Sequence, residues 1–274
     1  MVLVGAQGTI LYSSDRARWE RAATSGTGDL YGVTYAQGRS IVVGDGGILT
    51  STDAMTYQEV TSAGALPNFR AVAASRNAVV AVGENGAVWR SLDGISNWQP
   101  VALPATHSQM SLKAVAGDQS HSVLWAGGIG PQGQSGLLRS TDDGATWSVV
   151  NSNNLVGKEI QAVSLRELTP SAVYVSGRDS ATSSLTKGFI ALIDSNGNYT
   201  DTNANSVADN IRGLETSTQH MFAVGDKGVI LKLNNGTLGV ISDTQMLSFL
   251  DFTAFHMAKR DDRLFLPVLA HIYD

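Results

Sequence analysis

Short apolar runs separated by glycine, asparagine and aspartate set the pattern of this chain, and one of these runs recurs. The recurring signature is apolar, variable, alanine or glycine, then apolar. Its six copies are Leu30–Val33, Phe69–Val72, Leu112–Val115, Ile160–Val163, Ile211–Leu214 and Phe252–Phe255. Their first residues are 39, 43, 48, 51 and 41 positions apart. A period of this length predicts a repeat architecture.

A second apolar run follows each of the first five signatures and ends in glycine. These runs are Ile41–Gly44, Val80–Gly83, Leu124–Gly127, Tyr174–Gly177 and Phe222–Gly225. In three repeats a glycine turn comes next, at Gly44–Gly47, Gly83–Gly86 and Gly225–Gly228, and a third apolar run and a polar loop follow. The pattern predicts short strands joined by hairpins. No stretch keeps a helical period over three turns.

Four short strands in each repeat predict an all-β fold, a β-propeller of four-stranded antiparallel blades formed by one domain, residues 1–274. The alanine or glycine of each signature fits this fold, because innermost strands converge where larger side chains would collide. Trp89 and Trp125 are interpreted as packing between blades.

The loop after the third strand carries a family resemblance. Ser140–Trp147 has the complete sequence S-x-D-x-G-x-T-W and resembles the Asp-box, or BNR, repeat. Shorter or decayed copies lie at 13–19, 51–57 and 91–98, whereas the fifth and sixth repeats, at 194–197 and 234–236, keep only turn residues. The predicted structural residues are Ser13, Asp15, Trp19, Ser51, Asp53, Tyr57, Ser91, Asp93, Trp98, Ser140, Asp142, Gly144, Thr146 and Trp147.

With its repeating glycine turns, the chain resembles the photosystem II assembly and stability factor type of propeller over almost its whole length, and sialidase propellers more distantly. The resemblance implies that the Asp-box loops lie on the face opposite the usual binding cleft. Asp15, Asp53, Asp93 and Asp142 are therefore interpreted as structural residues. Serine and aspartate would bond nearby backbone amides, glycine would take a positive φ, and tryptophan would cover the strands.

Six signatures predict six blades, with a ring closed by the two chain ends. Residues 2–21 would supply the outer strands of the sheet that Phe252–Ala258 begins, which would remove exposed edges. Because Val2–Val4 and Leu264–Val268 both resemble second strands, a seven-bladed ring is the alternative.

The amino-acid composition excludes several classes of function. The chain has 274 residues, no cysteine, a formal net charge of −5 and a pI near 5.5. These values exclude disulfide scaffolds and thiol chemistry and argue against nucleic-acid binding. No apolar run is long enough for a membrane helix, and no signal peptide is visible, so membrane insertion is not expected and the compartment and oligomeric state stay unassigned.

Most motifs that suggest catalysis or cofactor binding lack the neighbouring elements or the spacing that such a site requires. Gly128–Gly133 fits G-x-G-x-x-G, but a strand follows it where a nucleotide site needs a helix, so no cofactor is expected. The five histidines lack metal-ligand spacing, so no metal is expected. A sialidase would need three arginines on the substrate carboxylate. Only Arg70 and Arg212 occupy equivalent positions, since Lys113 stands in another repeat and Arg90 and Arg139 precede Asp-box serines.

The variable residue of each signature is the sharpest functional clue, because innermost strands of propellers usually start on the binding face. The predicted channel-mouth residues are Tyr31, Arg70, Lys113, Gln161, Arg212 and Thr253. A second polar ring two positions earlier could neutralise them: Asp29, Asn68, Ser111, Glu159, Asn210 and Asp251. An internally paired, hydrated channel and an anion-binding mouth both remain open. Longer loops at Gly127–Gly136 and Gly177–Gly188 carry recognition or are tolerated insertions.

The leading hypothesis is a non-catalytic interaction module that binds a protein or other macromolecular partner in assembly or attachment. The alternatives are a structural component of a larger particle, such as a phage virion, and a degenerate sialidase-like glycoside hydrolase.

Overall fold

The computed structural model describes residues 1–15, 17–26, 28–61, 65–166, 171–179, 187–202, 210–216, 221–234 and 237–240. Within these ranges the chain forms β-strands and three 3-10 turns, and no α-helix occurs in them. The chain divides into two compact units. The first comprises Met1–Ala126 and Leu138–Val149, and the second comprises Gly127–Leu137 and Val150–Asp274.

The N-terminal residues form two sheets. The first sheet has the order β1-β2-β3, with strands Val2–Val4, Ile10–Tyr12 and Glu20–Arg21. The second has the order β4-β8-β7-β6-β5, with strands Ala23–Thr24 (β4), Leu30–Ala36 (β5), Arg39–Gly44 (β6), Gly47–Ser51 (β7) and Thr56–Glu59 (β8). β4 runs parallel to the outer strand β8 and gives this sheet a fifth strand.

Two four-stranded sheets come next along the chain. The third sheet contains Phe69–Ala74 (β9), Val79–Gly83 (β10), Val88–Ser91 (β11) and Gln99–Pro100 (β12). The fourth contains Ser111–Gly117 (β13), Leu124–Ile129 (β14), Ser135–Ser140 (β15) and Ser148–Val149 (β16). Neighbours in each sheet follow the chain order, with a 3-10 turn at Ala105–His107 between the sheets.

Two further sheets of the same order complete the described fold. The fifth sheet contains Lys158–Leu165 (β17), Ala172–Asp179 (β18), Lys187–Asp194 (β19) and Tyr199–Asp201 (β20). The sixth contains Ile211–Thr216 (β21), Met221–Gly225 (β22), Ile230–Asn234 (β23) and Thr237–Val240 (β24). The remaining 3-10 turns are Asn153–Leu155 and Asp226–Gly228.

Five of the six signatures open a sheet, as predicted, in β5, β9, β13, β17 and β21. In the first unit β9 contacts both β5 and β13, and in the second unit β17 contacts β21. A Cβ placed on Gly32 would lie 3.2 Å from the Cα of Ala71 in the next signature. The small residues therefore allow neighbouring first strands to approach closely. The sixth signature, Phe252–Phe255, lies outside the described residues, as does the predicted closure of the ring.

Period-2 alternation explains how one strand serves two hydrophobic layers, because successive side chains point to opposite faces. In β10, Val79 and Ala81 pack in a cluster with Ile41 and Phe69, whereas Val80 and Val82 belong to a different cluster. That second cluster contains Leu112, Leu124 and Leu138 of the fourth sheet. Apolar layers thus lie between adjacent sheets of the first unit.

The two tryptophans interpreted as packing residues occupy different environments. Trp89 packs edge-on against Phe69, with ring centroids 6.5 Å apart, beside the cluster that joins the second and third sheets. Trp125 is fully buried, and the guanidinium of Arg139 lies 5.5 Å from its ring centroid.

The strands of the fourth and fifth sheets extend into the two long loops that the sequence predicts. β14 continues to Ile129 and β15 begins at Ser135, so the first loop shortens to residues 130–134. β18 continues to Asp179 and β19 begins at Lys187. The predicted boundaries were wrong because all four boundary glycines, Gly127, Gly136, Gly177 and Gly188, lie inside strands, where ladder pairing outweighs the weak strand propensity of glycine.

Candidate functional site at the first-strand bulges

A β-bulge recurs in the first strands of four sheets. In each case one residue lies unpaired between two residues that pair with the second strand: Tyr31, Arg70, Gln161 and Arg212. A bulge bends the strand and redirects a side chain. Four of the six predicted channel-mouth residues therefore occupy the same special backbone position.

Glycine is required opposite each bulge. A Cβ placed on Gly44, Gly83, Gly177 or Gly225 would lie only 1.9–2.2 Å from the carbonyl oxygen of the residue two positions before the bulged residue. The second-strand glycines of the sequence pattern thus have a steric cause, the close approach of two backbones.

Arg70 is the centre of a side-chain cluster in the first unit. Its Nη2 and Nε donate hydrogen bonds to Oε1 of Glu84 at 2.6 and 3.2 Å, and its Nη1 lies 3.7 Å from Oδ1 of Asp45. Its guanidinium also lies 4.1 Å from the ring centroid of Tyr31. The Tyr31 hydroxyl donates to Oδ2 of Asp45 at 3.1 Å. The arginine consequently holds the tyrosine ring and two carboxylates together.

The charges of the cluster follow from these contacts. The hydrogen bond and charge of Arg70 hold the pKa of Glu84 below its usual range, so this carboxylate is ionised at neutral pH. Burial raises the pKa of Tyr31, so its hydroxyl stays protonated and remains a donor. Tyr31 is still 39% exposed, which leaves part of its ring available to a partner.

Lys113 adds a second cation to this region of the first unit. It is half-buried in β13, and its charge also contributes to the lowered pKa of Glu84. Within the ranges that the structure describes, its ammonium makes no hydrogen bond or ion pair. The cluster therefore combines a paired arginine, a partly exposed aromatic ring and an unpaired lysine, and we refer to Tyr31, Asp45, Arg70, Glu84 and Lys113 as the Arg70 cluster.

The bulges of the second unit have a different pattern of pairing. Gln161 Nε2 and Arg178 Nη2 donate to the two carboxylate oxygens of Glu159, both at 2.6 Å. Arg212 Nε donates to Asp226. Thr253, the sixth predicted channel-mouth residue, lies outside the described residues.

The neutralising residues differ in part from those that the sequence suggested. Glu159 belongs to the predicted polar ring and does bind cationic and amide groups. Asp45, Glu84 and Asp226 do not belong to it, and each directly follows a second-strand glycine. The bulge turns the side chains toward that neighbouring turn, while Asn68 of the predicted ring accepts a hydrogen bond from the backbone of Gly46. An acidic residue after the glycine in three repeats was the signal that sequence reasoning missed.

The four serine–aspartate loops form compact hydrogen-bonded turns. The serine hydroxyl donates to the aspartate Oδ1 at 3.1, 2.8, 2.9 and 2.8 Å in chain order. The aspartate also accepts backbone N–H groups, as Asp93 does from Ile95 and Ser96 at 2.8 Å each. The aromatic residues Tyr57, Trp98 and Trp147 are buried beneath these loops.

The turn predicted at 194–197 in the fifth repeat has the same hydrogen bonding as the complete loop, which the sequence analysis did not predict. Asp194 accepts the backbone N–H of Asn198 at 2.9 Å and its side-chain Nδ2 at 2.7 Å. Asp142 accepts the N–H and hydroxyl of Thr146 in the same way, at 2.9 and 2.6 Å. Tyr199 stands where Trp147 stands in the complete loop. The spacing of an aspartate, three residues, a polar residue and an aromatic could have identified it.

The complete loop is anchored on its neighbours in the first unit. Asp143 accepts hydrogen bonds from the backbone N and the side-chain Nδ2 of Asn77 at 3.1 and 3.0 Å. Arg90 Nε donates to the carbonyl of Asp143 at 2.7 Å. These contacts fix the loop to Asn77 and Arg90.

The described residues offer neither a metal site nor a membrane-spanning helix. No group of three or more histidine, aspartate or glutamate side chains in the described ranges is placed to hold a metal ion. None of the helices described for this chain has the length and apolar character needed to cross a membrane.

Comparison with known proteins assigns the fold and leaves the family open. No protein-family model and no curated protein matches the chain. Among solved structures, YCF48 bound to D1 peptide is similar with a TM-score of 0.69 and 17% identity, over 95% of this chain and 82% of that one. The WD40 β-propeller domain of Doa1 is similar with a TM-score of 0.66 and 15% identity, over 88% of this chain and 78% of that one. An ancestral GH74 enzyme is similar with a TM-score of 0.62 and 15% identity, over 87% of this chain and 36% of that one.

Together with the repeated antiparallel sheets, these likenesses define the chain as a β-propeller. The predicted fold class is confirmed. The six sheets among the described residues equal the number that the six signatures predict. Because a peptide-bound protein and an enzyme are both similar to this chain in structure, the fold does not determine the activity.

Proposed function

We propose that this protein is a non-catalytic propeller that recognises a protein or other macromolecular partner and acts in assembly or attachment. The observation that carries the proposal is the Arg70 cluster, where a partly exposed tyrosine ring packs on an arginine and the charge of an unpaired lysine acts on the carboxylate that binds this arginine. Tyrosine and arginine are among the residues that most often dominate the energy of protein interfaces. Likeness to YCF48 bound to D1 peptide and to a WD40 domain supports this class of function.

The proposed binding residues are Tyr31 and Lys113, with Arg70 as the residue that positions the tyrosine. In the second unit we propose Gln161 and Arg212 as binding residues of their own repeats, and Thr253, which lies outside the described residues, as a further one. We interpret the serine–aspartate loops as Asp-boxes with a purely structural role. The unpaired Lys113 favours a partner with an acidic group at the point of contact.

The pairing of the arginines supports a non-catalytic role. Arg70 is bound by Glu84 and Arg212 by Asp226. A substrate carboxylate would have to displace these partners before an arginine could grip it. We expect no hydrolysis of fluorogenic sialosides or of a glycan panel. Turnover that Arg70→Ala or Arg212→Ala abolishes would instead favour a glycoside hydrolase.

Affinity capture from the natural source, followed by binding assays with the purified partner, tests the proposal. We expect a protein that binds the wild-type chain and loses at least tenfold in affinity with Tyr31→Ala combined with Lys113→Ala. Leu92→Ser is the matched control, because Leu92 is 62% exposed in a serine–aspartate loop. Melting curves verify that each variant is folded.

The same experiment separates the alternatives. A partner whose affinity falls with Leu92→Ser, and not with the Tyr31 and Lys113 double variant, would contradict the assignment of Tyr31 and Lys113 as binding residues. Recovery of the chain in fixed stoichiometry with a large particle, without loss on changing Tyr31 and Lys113, would favour the particle-component hypothesis.

A further inference from the structure

A polar cleft in the second unit has no part in the proposed function. It has a volume of about 520 Å³ and is lined by residues 151–154 and 197–199. This volume is in the range of small-molecule sites, roughly 300–1,000 Å³. Its lining contains asparagine, serine, glycine and tyrosine and carries no charged side chain.

Local structure holds the two sides of the cleft together. The 3-10 turn Asn153–Leu155 presents two asparagines, and its last residue, Leu155, is buried and anchors it. On the other side, Gly197 has a φ of +81°, and a Cβ placed there would lie 1.9 Å from the carbonyl oxygen of Asn151. Only glycine allows this close approach of the two segments.

Several side-chain hydrogen-bonding groups at the cleft are available to bind a ligand. Across the described part of the chain, no hydrogen bond is made by the side chains of Asn151, Asn153 and Asn154 or by the hydroxyl of Tyr199, which are all at the cleft. Asn198 uses its Nδ2 on Asp194, which leaves its Oδ1 as an acceptor. Carboxamides present donors and acceptors side by side, a combination that matches adjacent hydroxyl groups of a ligand.

The electrostatic surroundings disfavour an anion. Burial, with the negative charges of Asp201 and Asp179, raises the pKa of Tyr199 to about 12. The hydroxyl therefore remains a neutral donor, and the same carboxylates would repel a negatively charged ligand. An apolar ligand is disfavoured as well, since it would cover amides without replacing their bonds to water.

We propose that this cleft is a binding site for a neutral oligosaccharide. The three free asparagine amides and the Tyr199 hydroxyl would bond sugar hydroxyl groups, and the tyrosine ring would supply apolar contact with a sugar face. The site is independent of the Arg70 cluster, which lies in the other unit.

Titration of the full chain with malto-, cello-, manno- and xylo-oligosaccharides, followed by saturation-transfer NMR and calorimetry, tests this site. We expect at least one of these neutral sugars to bind saturably and the anionic probe oligogalacturonate not to bind. Asn153→Ala with Asn154→Ala should raise Kd about tenfold or more, because two hydrogen bonds are lost. Tyr199→Phe keeps the ring and should raise Kd about threefold or more.

Two controls give the test its specificity. Asn196→Ala changes an exposed asparagine of the same loop outside the cleft and should leave Kd within about twofold. Tyr31→Ala with Lys113→Ala should leave sugar binding unchanged. The sugar site can therefore be confirmed even if these two residues bind no macromolecular partner. The site is overturned if none of the neutral sugars binds, if the asparagine double variant binds as well as wild type, or if oligogalacturonate binds as tightly.

Discussion

At the scale of single residues, one glycine position governs the candidate site. Gly44, Gly83, Gly177 and Gly225 each face a bulge, and each allows a carbonyl to approach within a distance that a Cβ would occupy. The repeated glycine was readable from the sequence as the end of a strand. The steric reason for the glycine could not be predicted from the sequence, because the carbonyl group that approaches it belongs to a residue 15–18 positions earlier.

Gly83→Ala should destabilise the protein by about 2–3 kcal/mol, since the added Cβ would meet the carbonyl oxygen of Asn68 at 2.1 Å and the backbone must move. Urea unfolding followed by tryptophan fluorescence measures the loss. Gly26→Ala is the control, because its Cβ would meet only ordinary contacts at 3.5 Å or more and should change stability by no more than about 0.5 kcal/mol. Equal losses in the two variants would contradict the steric explanation.

At the scale of structural elements, the loop between the third and fourth strands repeats a hydrogen-bonded turn. The sequence predicted four copies from serine, aspartate and an aromatic residue, and the turns formed because these bonds join near neighbours. At Asp194 it predicted a turn but not the same hydrogen bonding, because Leu192 replaces the serine. The aspartate and its backbone donors are sufficient to form the turn.

Asp93→Asn should make stability less dependent on pH in acid. Burial alone would raise the pKa of Asp93, but hydrogen bonds from the hydroxyl and N–H of Ser96, the N–H of Ile95 and Ser91 outweigh it and lower the pKa. Its stabilising effect is therefore complete above the usual value of 3.8 and is lost as pH falls through the lower folded-state value. We expect a loss of about 1–3 kcal/mol at pH 7 and a flatter stability curve below about pH 4.

Urea unfolding at a series of pH values measures both effects. Glu59→Gln, which removes an exposed carboxylate of β8, is the control for the loss of one negative charge and should change stability at pH 7 by no more than about 0.5 kcal/mol. A wild-type slope in Asp93→Asn would show that this carboxylate does not contribute to the acid sensitivity.

At the scale of the whole molecule, the two compact units allow a test of cooperative unfolding. The sequence predicts one domain over residues 1–274, and we propose that unfolding is cooperative. All five tryptophans, at positions 19, 89, 98, 125 and 147, lie in the first unit. Tryptophan fluorescence therefore reports on that unit, while far-UV circular dichroism reports on both.

Gly225→Ala perturbs the second unit, because its Cβ would lie 2.2 Å from the carbonyl oxygen of Asn210. In a single cooperative domain we expect Tm to fall by about 5 °C or more, equally by fluorescence and by circular dichroism. A fall that circular dichroism detects and tryptophan fluorescence does not would contradict the single domain and indicate independent units.

The sequence by itself determined the repeat, the strands and the small residues of the first strands. These features depend on local alternation, on glycine and on turn residues, all of which are visible over a few positions. Only the tertiary structure decided that Arg70 pairs with Glu84 and lies near Asp45 of another sheet, and that residues 151–154 and 197–199 line one cleft. Both arrangements join residues distant in sequence, whose proximity is set by the bulges and by the packing of sheets.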